Sequence, residues 1–165
     1  MIVVADTSRL IHFAVAGLLP QLGRLLGRVC IPPQVRDELV HAAPLAPGVL
    51  ALREALSAWL VVVALDASGT RALSGLVDQV DQGEAAAIAL ALQLGADLVV
   101  IDDRDGRRAA HRGEPRVIGT VGLLVEARRK GQISALTPVL AEMRAHGLWV
   151  SDELVNRALV LVGEQ

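Results

Sequence analysis

The stretch "GEAAAIALALQLGADLVVIDDRDGRR", residues 83–108, decides the fold. Its first half is rich in Ala and Leu, both strong helix formers, and Asp81 just ahead of it is a good N-cap. Gly95 ends that helix, the usual place for a glycine. The next residues, "DLVVI" (97–101), form a short apolar run that reads as a strand buried on both faces. The strand runs into Asp102, Asp103 and Asp105, and then into a short helix over "RDGRRAAHR". A helix, a buried strand and another helix in succession are what a parallel sheet covered on both sides requires.

The same unit recurs on either side. "IVVAD" (2–6) is a second short apolar run, and it too stops at an aspartate, Asp6. "TSRLIHFAVAG" supplies a cap and a helical pattern ending at Gly17, with a further helix through Leu26. "RVCI" (28–31) reads as a strand, and "PPQVRDELVHA" as a helix whose prolines suit its first turn. A helix over about 48–57, a third strand in "WLVVVAL" from Trp59 and a helix after Ala67 complete the first half. "RVIGT" (116–120) is the fifth predicted strand, followed by helices near 121–130, 135–146 and 151–162. "APLAPG" (43–48) looks like a loop between helices, and no repeat or linker interrupts the chain. The class is therefore α/β, a three-layer α/β/α sandwich around a parallel sheet.

Composition narrows the function. The 165 residues suffice for one sizeable core, and 53% are hydrophobic, which argues against disorder. No apolar run has the length of a membrane span, and "MIVVAD" lacks the positive n-region of a signal peptide. Cys30 is the one cysteine, so no internal disulfide forms and a reducing cytoplasmic setting is expected. Histidines 12, 41, 111 and 146 lie too far apart for a zinc spacing. A net charge of −2 excludes a polycation. Charge is unevenly spread, however. Five arginines between Arg104 and Arg116 face only Asp105 and Glu114, and "RRK" lies at 128–130. With two Trp, one Phe and no Tyr, stacking platforms for nucleobases are scarce, so selectivity is expected from RNA shape or arginine contacts.

In parallel sheets ligands bind beyond the carboxyl ends of the strands, where strand order reverses. Asp6, Asp102 and Asp103 occupy such ends. If their strands are neighbours, three carboxylates converge, and they raise one another's pKa unless a cation sits among them. Oxygen-only ligands select a hard divalent ion, Mg2+ or Mn2+. Local roles compete with this. Asp6 could cap the helix beginning "TS", and Asp102 or Asp103 could cap the next one, although one aspartate suffices. Asp105 falls in a helix's first turn, where negative charge is favourable. Glu38 reads locally as a solvated helical side chain, and Glu84, three residues after Asp81, as half of a capping box. No G-x-G-x-x-G, P-loop or G-x-S-x-G pattern is present. "DRDG" (103–106) is similar to the D-x-D-G of haloacid-dehalogenase phosphatases, but that motif follows the first strand there. Response-regulator receivers carry their acidic pair after strand one, again unlike this chain.

With these residues in place, the sequence resembles a PIN domain, the metal-dependent ribonuclease fold of VapC-type toxins. The likeness is carried by "VVADTS" (3–8), "IPPQVRDELV" (31–40), residues 83–108 and "GTVGLLVEARRKGQI" (119–133). It is similar too to a subfamily of predicted nucleic-acid-binding PIN proteins, whose tail resembles "GLWVSDELVNRAL" (147–159). The resemblance implies a five-stranded parallel sheet of order 3-2-1-4-5, a PIN-like domain over 1–133 and a helical extension over 134–165 packed on it. It places the acidic set on Asp6, Glu38, Glu84 and Asp103, with Thr7 and Ser8 as supporting hydroxyls. Asp102 adds a further candidate ligand. The implied activity is Mg2+- or Mn2+-dependent endoribonucleolysis, as the toxin of a toxin–antitoxin pair. Arg104, Arg107, Arg108 and Arg112 would hold RNA phosphates. Expected partners are RNA, a small antitoxin laid over the acidic pocket and a second copy in a homodimer. The alternative is a PIN fold kept as an RNA-binding or protein-binding module. Two departures from the toxin pattern stand out: glutamate at 84, where aspartate is common, and Gly106 in place of an aromatic residue.

Overall fold

Strand residues alternate between two apolar clusters, and this divides the molecule into layers. In the computed structural model, which describes residues 1–42, 48–110 and 115–164, β1 (Val3–Ala5) directs Val3 and Ala5 to one cluster and Val4 to the other. β4 (Leu98–Val100) does the same, with Leu98 and Val100 on one side and Val99 on the other. Period-two alternation with both faces apolar is the pattern of a sheet buried between helical layers.

The remaining strands are β2 (Val29–Ile31), β3 (Leu60–Val62) and β5 (Arg116–Ile118). All pairings are parallel and the order is β3-β2-β1-β4-β5. Ala5 pairs with Val100, so the chain leaves β1 and β4 side by side at the point where strand order reverses. Every strand is shorter than the apolar run that predicts it. In "WLVVVAL" Leu60–Val62 form the strand, on a sheet edge with a partner on one side only. In "RVIGT" Gly119 is instead the N-cap and Thr120 the first residue of the next helix, where the Thr120 N–H donates to Asp102 at 2.7 Å.

One face of the sheet carries α1 (Thr7–Val15), α2 (Leu19–Leu26), α3 (Pro33–Ala42), α4 (Val49–Ala58) and α8 (Thr120–Arg129), all contributing to the larger cluster. α9 (Leu136–Ala145) and α10 (Asp152–Val162) join it through Leu136, Leu140, Met143 and Ala158. The other face holds α5 (Ala67–Ser74), α6 (Gln82–Leu94) and α7 (Arg104–Ala110). α6 is buried continuously from Gly83 to Ala91, which its run of small alanines permits by letting neighbours approach from all sides. It ends at Gly95 with φ 57°, a left-handed conformation that favours glycine. Among the described residues no helix is long and apolar enough to cross a membrane. Residues 43–47, within the Pro-rich stretch, and Arg112 lie outside the described residues.

Candidate metal centre and nucleic-acid interface

Asp6 follows β1 and is the N-cap of α1, its Oδ1 accepting from the Arg9 N–H at 3.1 Å. Only 4% of it is exposed. Burial raises its pKa to about 6, against the pull of the Arg9 guanidinium, whose Nε lies 3.4 Å from Oδ1. Cap and buried carboxylate are thus the same group. Thr7, also buried, donates its hydroxyl to Glu38 Oε2 from α3, and Ser8 occupies the next position of the same turn.

Glu84 lies in the first turn of α6. Asp81 caps that helix by accepting from the Glu84 N–H at 2.9 Å, as the capping-box spacing requires. The Glu84 side chain, however, turns toward α7. A Cβ at Gly106 would stand 2.5 Å from Glu84 Cδ and 2.9 Å from its Oε2, so the carboxylate fills space that only a glycine leaves open. Burial pushes the Glu84 pKa up to about 8, and the charges of Asp6, Asp103 and Asp81 add to it. Gly83 does the same for Glu38, whose oxygens would lie 2.6 and 2.8 Å from a Cβ there.

Asp103 is the N-cap of α7. Its Oδ2 accepts from the Gly106 N–H at 3.0 Å and the Asp105 N–H at 2.7 Å, and these bonds hold its pKa below the usual carboxylate range. Asp6, Glu38, Glu84 and Asp103 therefore form one continuous neighbourhood, linked through Thr7, Gly83 and Gly106. Asp102, a predicted ligand, is committed elsewhere. Oδ1 accepts from the Thr120 N–H, Oδ2 from the Thr120 hydroxyl at 2.6 Å, and Arg9 donates to Oδ2 as well. It starts α8 and anchors Arg9, so both of its oxygens already accept hydrogen bonds within the protein. Burial opposes the charge on Arg9, but Asp6 and Asp102 outweigh it and hold the guanidinium protonated.

The donor chemistry fits a hard divalent cation: four carboxylates from four segments, two of them penalised for carrying charge without one. Their spacing is wider than a coordination shell, because among the described residues no three His, Cys, Asp or Glu side chains are grouped tightly enough to hold an ion.

Beside the acids runs a groove of about 810 Å³ lined by Arg9, Arg104, Arg107, Arg108 and Trp149, with Asp103 at its acidic end. A PIN domain family model matches residues 2–164. The chain belongs to the PIN domain family. The PIN domain is a nuclease fold, generally metal-dependent, and here the match includes α9 and α10. No curated protein matches the chain.

Within this PIN domain three of the four arginines expected to hold phosphate, Arg104, Arg107 and Arg108, do line the groove next to the acids. Arg9 and Trp149 also line it, and the sequence gives neither a role there. Arg9 was hidden in an ordinary helical stretch, since its partner Asp102 is distant in the chain. Trp149 left one signal: it stands between two apolar residues, Leu148 and Val150, which are buried while it is exposed.

Proposed function

We propose that the chain is a Mg2+- or Mn2+-dependent endoribonuclease, acting as the toxin of a toxin–antitoxin pair. One observation carries the catalytic part of the reading. Four carboxylates lie in one neighbourhood at the strand-order reversal of a PIN domain, with glycines at 83 and 106 opening the space that two of them fill. A divalent ion held among them supplies the positive charge that polarises a scissile phosphate and acidifies an attacking water.

The chain's own residues do the rest. Asp6 and Asp103 would anchor the ion, each fixed in direction by backbone N–H groups. Glu84 and Glu38 would complete the set, Glu38 being oriented by the Thr7 hydroxyl. Arg104, Arg107 and Arg108 would hold phosphates flanking the scissile one, which fixes the register of the strand without reading its sequence. The antitoxin and the homodimer rest on the likeness to VapC-type toxins and on the apolar composition. A cytoplasmic setting follows from the lone cysteine.

A second reading, a PIN fold that binds RNA without cutting it, is favoured by one feature. Arg9 already bridges Asp6 and Asp102 with a fixed positive charge. One experiment separates the two: incubation of a pool of structured RNAs with purified protein in Mn2+, in EDTA, and with Asp6→Asn. Cutting that needs Mn2+ and disappears in Asp6→Asn is the expected result. RNA retention without cutting, at any Mn2+ concentration, selects the binding module.

A further inference from the structure

We infer that Trp149 is a base-stacking platform, and that the groove it lines takes a single-stranded RNA segment running away from the acidic cluster. This rests on the nuclease reading above and names the form of RNA that the same site accepts.

The indole is 87% exposed, the most exposed of the large apolar side chains described. Leaving it in water costs more than an Ala would, and nothing in the core requires it. It is nevertheless mounted firmly. Leu148 and Val150 on either side are buried anchors. The Leu148 N–H donates to Met143 O at 2.9 Å, Arg144 donates to Val150 O at 2.6 Å, and Ser151 caps α10 by accepting from Leu154 N–H. Arg144 is itself held by Asp152 at 2.9 Å. The backbone that carries the ring is thus held on both sides, and an indole has only two side-chain torsions to fix on binding, so the contact costs little ordering entropy.

Its surroundings choose the occupant. Arg104, Arg107 and Arg108 line the same groove, together with Arg9, Asp102 and Asp103. Cations spaced along a cleft with an exposed aromatic face are the elements of single-strand binding, in which arginines follow the backbone and the ring takes a base. A duplex would not present an unstacked base to the indole, because its bases are already paired and stacked. The groove's volume lies within the range of about 300–1,000 Å³ usual for bound ligands, enough for a nucleotide.

The chain has no tyrosine and only two tryptophans, so a Trp59→Phe background leaves Trp149 as its sole strong emitter. In EDTA, which prevents cleavage, this protein would be titrated with a short single-stranded oligoadenylate, the same strand with abasic sites, and the same strand in a duplex. The expected result is quenching of Trp149 by the oligoadenylate alone. Trp149→Ala should then weaken oligoadenylate binding about 5- to 150-fold without altering its salt dependence, and Trp149→Phe should recover most of the loss. Equal affinity for Trp149→Ala, equal quenching by the abasic strand, or preference for the duplex would overturn the inference. Absence of binding to all three would also overturn it, leaving the indole to a protein partner. The nuclease reading fails separately. Quenching and the Trp149→Ala effect would then persist, while Mn2+ produces no cutting.

Discussion

Replacing Glu84 by Gln keeps the shape of the side chain and removes its charge, which tests the acidic cluster without the RNA. In the metal-free protein the Glu84 carboxyl has its pKa raised from 4.5 to about 8 by burial and by Asp6, Asp103 and Asp81. A carboxyl whose folded pKa lies above its unfolded value binds more protons in the native state. Its contribution to stability is therefore present below pH 4.5 and is lost as pH rises through about 8. At roughly 1.4 kcal/mol per pKa unit, the loss reaches about 3 kcal/mol by pH 7. Glu84→Gln is spared it. In EDTA the variant should match the parent to within about 1 kcal/mol at pH 5, and exceed it by about 3 kcal/mol at pH 7, or 6–12 °C in Tm for a chain of this size. His12, whose pKa burial lowers, contributes a trend of opposite sign, but it is common to both proteins and cancels in the difference. Mn2+ at a hundred times the parent's Kd should stabilise the parent by about 3 kcal/mol and the variant far less, which closes the gap at pH 7. Thermal melts at the two pH values, with EDTA or Mn2+, give all four numbers. A Tm difference between parent and variant that stays the same from pH 5 to pH 7 in EDTA would refute the reasoning, because Glu84 would then titrate as a solvated group.

Three further outcomes are expected. Asp103→Asn should leave Tm nearly unchanged, since Asn caps a helix about as well as Asp, while Mn2+ affinity measured by calorimetry is lost. Asp102→Ala should show the opposite balance: it strands the Thr120 N–H and hydroxyl and one side of Arg9, costing about 1–3 kcal/mol in denaturant melts, with Mn2+ affinity largely kept. Joint replacement of Arg107 and Arg108 by Ala should weaken single-stranded RNA and flatten the log–log salt slope by about 1.4, as two lost phosphate contacts predict; an unchanged slope places these arginines off the RNA path.

The layered fold was legible because its signals are local. Short apolar runs, caps such as Asp81 and stops such as Gly95 act over a few residues; the cap and the stop appear where the sequence pattern puts them, and β4 lies within its predicted run. Strand order was not local, and it came from resemblance to a family. Among the acids, Asp6 and Asp103 were readable because they end buried strands. Glu38 and Glu84 were not, since a glutamate in a helix has the same neighbours in sequence whether it faces water or another acid. What distinguishes them here are glycines from other segments, Gly83 against Glu38 and Gly106 against Glu84. The hydrogen-bond partners of Asp102 are hidden for the same reason: Thr120 and Arg9 lie 18 and 93 residues away.

The two departures from the toxin pattern, a glutamate at 84 and a glycine at 106, look like separate losses in sequence. In the structure they are one adjustment. The extra methylene of Glu84 carries its carboxylate into the volume that a side chain at 106 would fill, with only 2.5 Å between Glu84 Cδ and a Cβ there. This coupling has a measurable form. Gly106→Ala alone should cost about 1–3 kcal/mol, because the overpacked Cβ outweighs the roughly 0.5–1 kcal/mol by which Ala favours a helix over Gly, and should displace the carboxylate and lower Mn2+ affinity about 10- to 100-fold. Adding Glu84→Asp withdraws the carboxyl by one methylene and should restore part of that affinity, although Glu84→Asp alone weakens it. Calorimetry on the four proteins closes a double-mutant cycle whose interaction energy must differ from zero and favour the double variant. Strict additivity would show that the close approach of Glu84 to Gly106 has no part in holding the ion, and the two departures would then have to be explained independently.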